Sequence, residues 1–134
     1  HATIRNNTAL GNGFDNPNWL AGAGILVLNS PGVTVSGNIV RGNADGIAGI
    51  QGDREVVAGK NCTLELKDLS IHDNTIDMST GYTGIVTDDT NAVFDSWNNS
   101  FSGNDYVLQP SGDEFFSWDG DHHTLTEWTA LGQG

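Results

Sequence analysis

From Val33 to Ile47 the chain alternates apolar and polar residues, places Asn38 and Asn43 five positions apart, and closes on a Gly-Ile pair. The pattern returns in weaker form as Asn7-Thr-Ala-Leu-Gly-Asn12, Asn74-Thr-Ile-Asp-Met-Ser79 and Asn99-Ser-Phe-Ser-Gly-Asn104. Each copy is followed by a Gly- or aromatic-led apolar pair: Gly24-Ile25, Gly46-Ile47, Gly84-Ile85 and Tyr106-Val107. A repeat of roughly 20–35 residues with strand-like alternation and no helical stripe predicts coils of a β-solenoid. The unequal spacing of the copies argues against a solenoid of identical rungs. Each coil carries three short strands, in the second Val33–Val35, Ile39–Val40 and Ile47–Ile50, with Gly, Asn and Asp in the turns between them. One Asn per coil has a physical reason, because a stacked amide can bond the backbone above and below and Asn tolerates left-handed turns.

Further strands are predicted at Gly24–Leu28, Leu64–Leu66, Leu69–Ile71, Thr75–Ile76 and Ile85–Thr87. In the first coil Ile4 and Leu10 are expected to face inward. An excursion from Gly13 to Gly22 carries Phe14, Pro17 and Trp19, and its Asn16-Pro17-Asn18 signal reads as a loop. The expected coils are residues 1–29, 30–58, 59–95 and 96–121, with an aromatic-rich cap at 122–134. A solenoid end exposes apolar core and unpaired edges. Thr124–Leu131 reads as a short helix laying Leu125, Trp128 and Leu131 across that end, since spacings of three suit one helical face. The N-terminal end shows no comparable cap. It is expected to continue into further sequence, to pair with another chain, or to lie under the Phe14–Trp19 loop.

The N-x-I-x-x-N rungs and their Gly-Ile pairs resemble the right-handed parallel β-helix of the pectate-lyase-like superfamily. The last third, from Asn98 through Phe115-Phe-Ser-Trp118 to Gln133, resembles the C-terminal region of bacterial extracellular β-helix proteins. The resemblance implies an all-β, right-handed parallel β-helix of about four coils and is nearly silent on reaction, because one fold hosts many activities. It implies that any site lies on one outer face, built from consecutive coils.

Composition narrows the partners. Five Lys and Arg against seventeen Asp and Glu give a net charge of −12. That disfavours nucleic acid and anionic membrane surfaces, and a polyanion such as pectate unless Ca²⁺ bridges the two. A neutral glycan, a cation or a protein partner is easier to accommodate. No apolar run approaches the roughly 20 residues of a membrane-spanning helix. The length of 134 residues fits one domain, and an opening at His1 without Met fits a processed or truncated N-terminus. The single Cys62 sits in strand-like alternation and reads as buried packing. High Gly and Asn with little Lys suit a secreted bacterial protein.

Candidate chemistry falls in two groups. Trp19 reads as a lid over the coil below or as a sugar-stacking platform, and Tyr82 as a second exposed aromatic. Asn29, Gln51 and Asp89 each follow the Ile of a Gly-Ile pair by four residues, so stacked coils about 4.8 Å apart would align them as one polar row. Trp19, Tyr82, Asn29 and Gln51 are therefore the expected ligand-binding residues, and Asp53, Asp88 and Asp89 the expected calcium ligands. The plainer reading of this row is a solvated turn. A lyase needs a base for proton abstraction, yet Arg5, Arg41, Arg54, Lys60 and Lys67 lie in no diagnostic motif. Asp119-Gly-Asp-His-His123 reads as a polar turn, since adjacent His122 and His123 point oppositely on a strand. Three N-x-S/T triplets at Asn6, Asn61 and Asn98 read as coincidence.

The function expected first is a non-catalytic extracellular domain for cell-surface or carbohydrate-associated interaction, the C-terminal part of a larger protein. The alternatives are a polysaccharide lyase or glycoside hydrolase, and a structural subunit that self-associates through its open N-terminal coil.

Overall fold

The computed structural model describes residues 1–16, 18–53 and 64–134. Thirteen strands follow one another along these residues. They are β1 (Ala2–Arg5), β2 (Thr8–Leu10), β3 (Ala23–Leu28), β4 (Val33–Ser36), β5 (Ile39–Arg41), β6 (Asp45–Gln51) and β7 (Ser70–His72). Then come β8 (Thr75–Met78), β9 (Thr83–Thr87), β10 (Ser100–Ser102), β11 (Asp105–Leu108), β12 (Phe116–Trp118) and β13 (Asp121–His123). Two short helices, α1 (Ala92–Asp95) and α2 (Leu125–Ala130), and a single 3-10 turn at Asn18–Leu20 complete the elements. The fold is all-β, as expected. No helix among the described residues is long and apolar enough to cross a membrane.

The strands form three sheets, each taking every third strand up to β12. Their orders are β1-β4-β7-β10, β2-β5-β8-β11 and β3-β6-β9-β12-β13. Every pairing is parallel except β12 with β13, which is an antiparallel hairpin. Register follows the alternation of apolar residues, since a one-residue slip would turn each inward set outward. Ile4, Val35, Ile71 and Phe101 align across the first sheet, and Ala9, Val40, Ile76 and Tyr106 across the second. These rows, with Leu66, Leu69, Met78 and Ile85, supply the apolar core.

An asparagine ladder runs along the turns that connect the strands of the first sheet to those of the second. Asn7, Asn38 and Asn74 each donate their backbone N–H and Nδ2 to the Oδ1 of Asn38, Asn74 and Asn104 respectively, at 2.9 to 3.1 Å. The residue before each rung (Asn6, Gly37, Asp73, Gly103) holds a left-handed backbone, φ 55° to 64°.

Several expectations need correction. The placement in the pectate-lyase-like superfamily does not stand: what is observed is three mostly parallel sheets of four, four and five strands, the last closed by an antiparallel strand, which does not define that family. The fourth rung is Asn104, not Asn99. Asn99 serves a different turn, accepting from Leu69 N–H and donating to the Leu66 and Val93 carbonyls. Ile85 lies opposite Gly49 rather than Ile47. Leu10 is 55% exposed while Ala9 takes the inward place beside Val40, because β2 starts one residue earlier than its apolar residue. Leu64–Leu66 is irregular, although Leu66 is fully buried. Pro17, Arg54, Glu55, Lys60, Cys62 and the Asn61 triplet lie outside the described residues.

Aromatic packing caps the C-terminal end. Trp128, fully buried, stacks on Phe116 at 4.8 Å and takes edge contacts from Phe101 and Trp118. Its Nε1–H donates to the Tyr106 hydroxyl at 3.1 Å, and burial pushes that phenol up to about 12. Helix α2 is started by a capping box, with Thr124 Oγ1 accepting from Glu127 N–H and Glu127 Oε1 accepting from Thr124 N–H. That bonding holds the exposed Glu127 carboxyl below its ordinary pKa. Leu131 does not lie across the end. It is 44% exposed, because the helix stops at Ala130 and its inward positions are Leu125, packed against the core, and Trp128.

Candidate functional site

The outer face of the third sheet carries a concavity that gathers aromatic and ionisable side chains. Strand β6 is buried along its whole length, which a surface strand becomes only when something covers its outer face. The cover is the Gly13–Gly22 excursion, whose turn Asn18–Leu20 packs on β6 and β9. Trp19 and Leu20 both hold left-handed backbone, φ 55° and 62°, an uncommon conformation for bulky residues. The turn plants Leu20 in the interior and leaves Trp19 about half exposed, at 47%. The loop therefore lies on the sheet face, and β1, β2 and β3 remain the first strands of their sheets at the N-terminal end.

Beneath the loop lies a cavity of about 520 Å³ lined by Trp19, Leu20, Asp45, Tyr82, Ser117 and His122, among others. Three local features build it. A Cβ on Gly46 would strike Thr83, Ile76 and Met78 in the core, so its neighbour Asp45 points to the outer side. Gly81, at φ +73°, passes so close to the Ala44 carbonyl that no side chain fits, which sets Tyr82 beside Asp45. The β12–β13 hairpin turns on Asp119 and Gly120, φ 52° and 80°, the two positive values that a tight hairpin turn needs. Its register puts His122 opposite Ser117 and stacks the imidazole on Tyr82, ring centres 3.9 Å apart and planes 17° from parallel.

Asp45 is the chemically conspicuous group. It is 3% exposed, and Oδ1 accepts the Tyr82 backbone N–H at 3.0 Å. Oδ2 is buried without a hydrogen-bond partner among the described residues. Burial raises its pKa above the ordinary 3.8, an effect that the Tyr82 and Gly22 backbone amides partly offset.

The expected site residues are distributed unevenly over this surface. Trp19 and Tyr82 line the same cavity. Asn29 and Gln51 lie elsewhere and are spent internally. Asn29, 6% exposed, exchanges two hydrogen bonds with the Gly52 backbone. Gln51, 2% exposed, accepts from Leu66 N–H and donates to the Leu64 carbonyl. The row Asn29, Gln51 and Asp89 is not a register row, because Gln51 pairs with Thr87, although Gln51 Nε2 does reach Asp89 Oδ2 at 3.1 Å. Asp53 and Asp88 share a second, shallower groove of about 660 Å³ with Trp19, Leu26 and Leu28. There Asp88 Oδ1 accepts the Asp53 N–H at 2.8 Å. Among the described residues no group of three or more His, Cys, Asp or Glu converges as a metal site needs. Asp45 and His122 were not among the expected site residues. His122 does point away from His123, which instead meets the Trp118 carbonyl at 3.4 Å.

No family model, no curated protein and no solved structure matches this chain. Membership of the pectate-lyase-like superfamily is thus unsupported by sequence family as well as by architecture.

Proposed function

We propose that this chain is a non-catalytic extracellular module that binds carbohydrate in the cavity under the Gly13–Gly22 loop. The observation that carries the reading is the meeting of Trp19 with the stacked Tyr82–His122 pair on one concave surface. Aromatic faces with a polar edge suit the apolar face of a sugar ring and its hydroxyls. In this reading the three sheets are the faces of about four successive coils of a right-handed solenoid, and the loop is an addition on one face. Every third strand entering the same sheet, in parallel, supports that winding. A composition poor in Lys and rich in Gly and Asn supports an extracellular setting.

A binding role accounts for the cavity better than cleavage does. Hydrolysis of a glycosidic bond in its common form uses two carboxylates flanking that bond, and among the described residues Asp45 is the single carboxylate lining this cavity. The test is calorimetric titration with a panel of neutral, cationic and uronate oligosaccharides. A ligand from the panel should bind, and Trp19→Ala or Tyr82→Ala should weaken it by about tenfold or more, as loss of an aromatic anchor does. Failure of the whole panel, or full affinity in both variants, would reject the reading.

A further inference from the structure

We propose that the cavity selects an amino sugar, with the ring against Trp19 and Tyr82 and the protonated amine received by Asp45. The inference rests on the carbohydrate reading above and narrows it to a cationic class of glycan. The geometry begins with Asp45 Oδ2, an oxygen buried beside the cavity with nothing bonded to it among the described residues. A buried acceptor without a donor is unfavourable, so a ligand that supplies a donor there gains what the free protein lacks. No Lys or Arg lines the cavity among the described residues, so that donor must come from the ligand.

Charge decides which donor. A hydroxyl would satisfy Oδ2, but an ammonium forms the stronger, charge-assisted bond to a carboxylate. The half-exposed ring of Trp19 attracts a cation that a neutral sugar does not offer. The protein's net charge of −12 concentrates cations at its surface and repels uronates. A sugar ring carrying an amine is the single chemistry that uses the ring-stacking surface, the unpartnered carboxylate oxygen and the field together. The Asn18–Leu20 turn packs on β6, the strand Asp45 opens, and its three residues share the cavity lining with Asp45.

The experiment compares a glucosamine tetramer with its N-acetylated counterpart by titration calorimetry. The two match in ring number and differ in charge. The amine form should bind about tenfold tighter to the wild type or better, and Asp45→Asn should abolish that preference while leaving residual binding to both. Equal affinity for the two tetramers, or an undiminished preference in Asp45→Asn, would overturn the inference. In those cases the carbohydrate reading survives if Trp19→Ala still abolishes binding. Failure of both tetramers and of neutral oligosaccharides would remove both. Circular dichroism checks that Asp45→Asn is folded; if it is not, the wild-type comparison of the two tetramers decides.

Discussion

Asn38 gives both of its donors to one oxygen, its backbone N–H and its Nδ2 reaching Asn74 Oδ1 at 2.9 and 3.0 Å. Asn74 in turn donates Nδ2 to the Val35 and His72 carbonyls. With its further bond to Asn104 Oδ1, its side chain serves five backbone or amide groups in a site that is 1% exposed. Asn74→Ala leaves those groups unpaired in the interior and should lower unfolding free energy by about 3 kcal/mol. Asn7→Ala, on an exposed rung, should cost less than about 1 kcal/mol because water replaces the lost partners. Denaturant melts of the two variants check the gradient, and equal losses would mean that the ladder is decorative.

Much of this ladder was legible in the residues, and the reason for each error is specific. The period of Asn followed by an alternating strand picked out three rungs of the ladder, Asn7, Asn38 and Asn74. The segment Asn98-Asn-Ser-Phe-Ser-Gly-Asn104 contains asparagines of two different turns, and only pairing of Phe101 with Ile71 assigns Asn104 to the ladder. The polar row failed for a similar reason: β9 meets β6 two residues out of the expected register, which keeps every side chain on its own face and so leaves the apolar pattern unchanged. Trp19 is exposed as its loop position suggested, whereas Tyr82 is half-buried and stacked on His122. Asp45 was not recognisable, because Ala44-Asp-Gly46 reads as an ordinary turn. Its burial depends on the Asn18–Leu20 turn, 25 to 27 residues earlier in the chain, folding back on β6, together with Tyr82 from the segment before β9, and no local pattern records such an encounter.

Trp128 should prove the most sensitive position at the capped end. It is fully buried and contacts Phe101, Phe116 and Trp118 while donating to Tyr106. Trp128→Ala should cost about 3–5 kcal/mol through the cavity it leaves. Trp128→Phe keeps most of the packing and loses the Nε1 bond, which should cost about 1–2 kcal/mol. Thermal or denaturant unfolding separates the two, and a mild Trp128→Ala would show that α2 is only loosely attached.

The last two residues continue the backbone pairing of the first sheet. Gln133 Oε1 accepts from Phe101 N–H, Gly134 N–H donates to the Phe101 carbonyl, and the Gly134 carbonyl accepts from Asn104 N–H, at 2.8 to 3.0 Å. Removal of residues 133 and 134 uncovers the edge of β10 and the last rung of the ladder. Hydrogen exchange at the Phe101 and Asn104 amides should then accelerate, with stability falling by about 1–3 kcal/mol. Unchanged exchange at those two amides would show that the tail does not protect the edge.

Asp45 gives the stability of the protein a pH dependence of definite sign. Its folded pKa is raised above 3.8 by burial. Between 3.8 and the raised value, the folded state therefore holds a proton that the unfolded state has released. Stability rises with pH only where the unfolded state binds more protons, and in this window the reverse holds. The favourable contribution of neutral Asp45 is complete below the unfolded pKa and is lost as pH rises through the folded one. Asp45→Asn retains the oxygen that accepts the Tyr82 N–H and cannot ionise. Its unfolding free energy should decline less steeply across that window than the wild type's, and at neutral pH the variant should be at least as stable as the wild type. Denaturant titrations of both proteins across the acid range measure the two slopes. Parallel curves would show that Asp45 ionises without penalty and that its unpaired oxygen is in practice solvated.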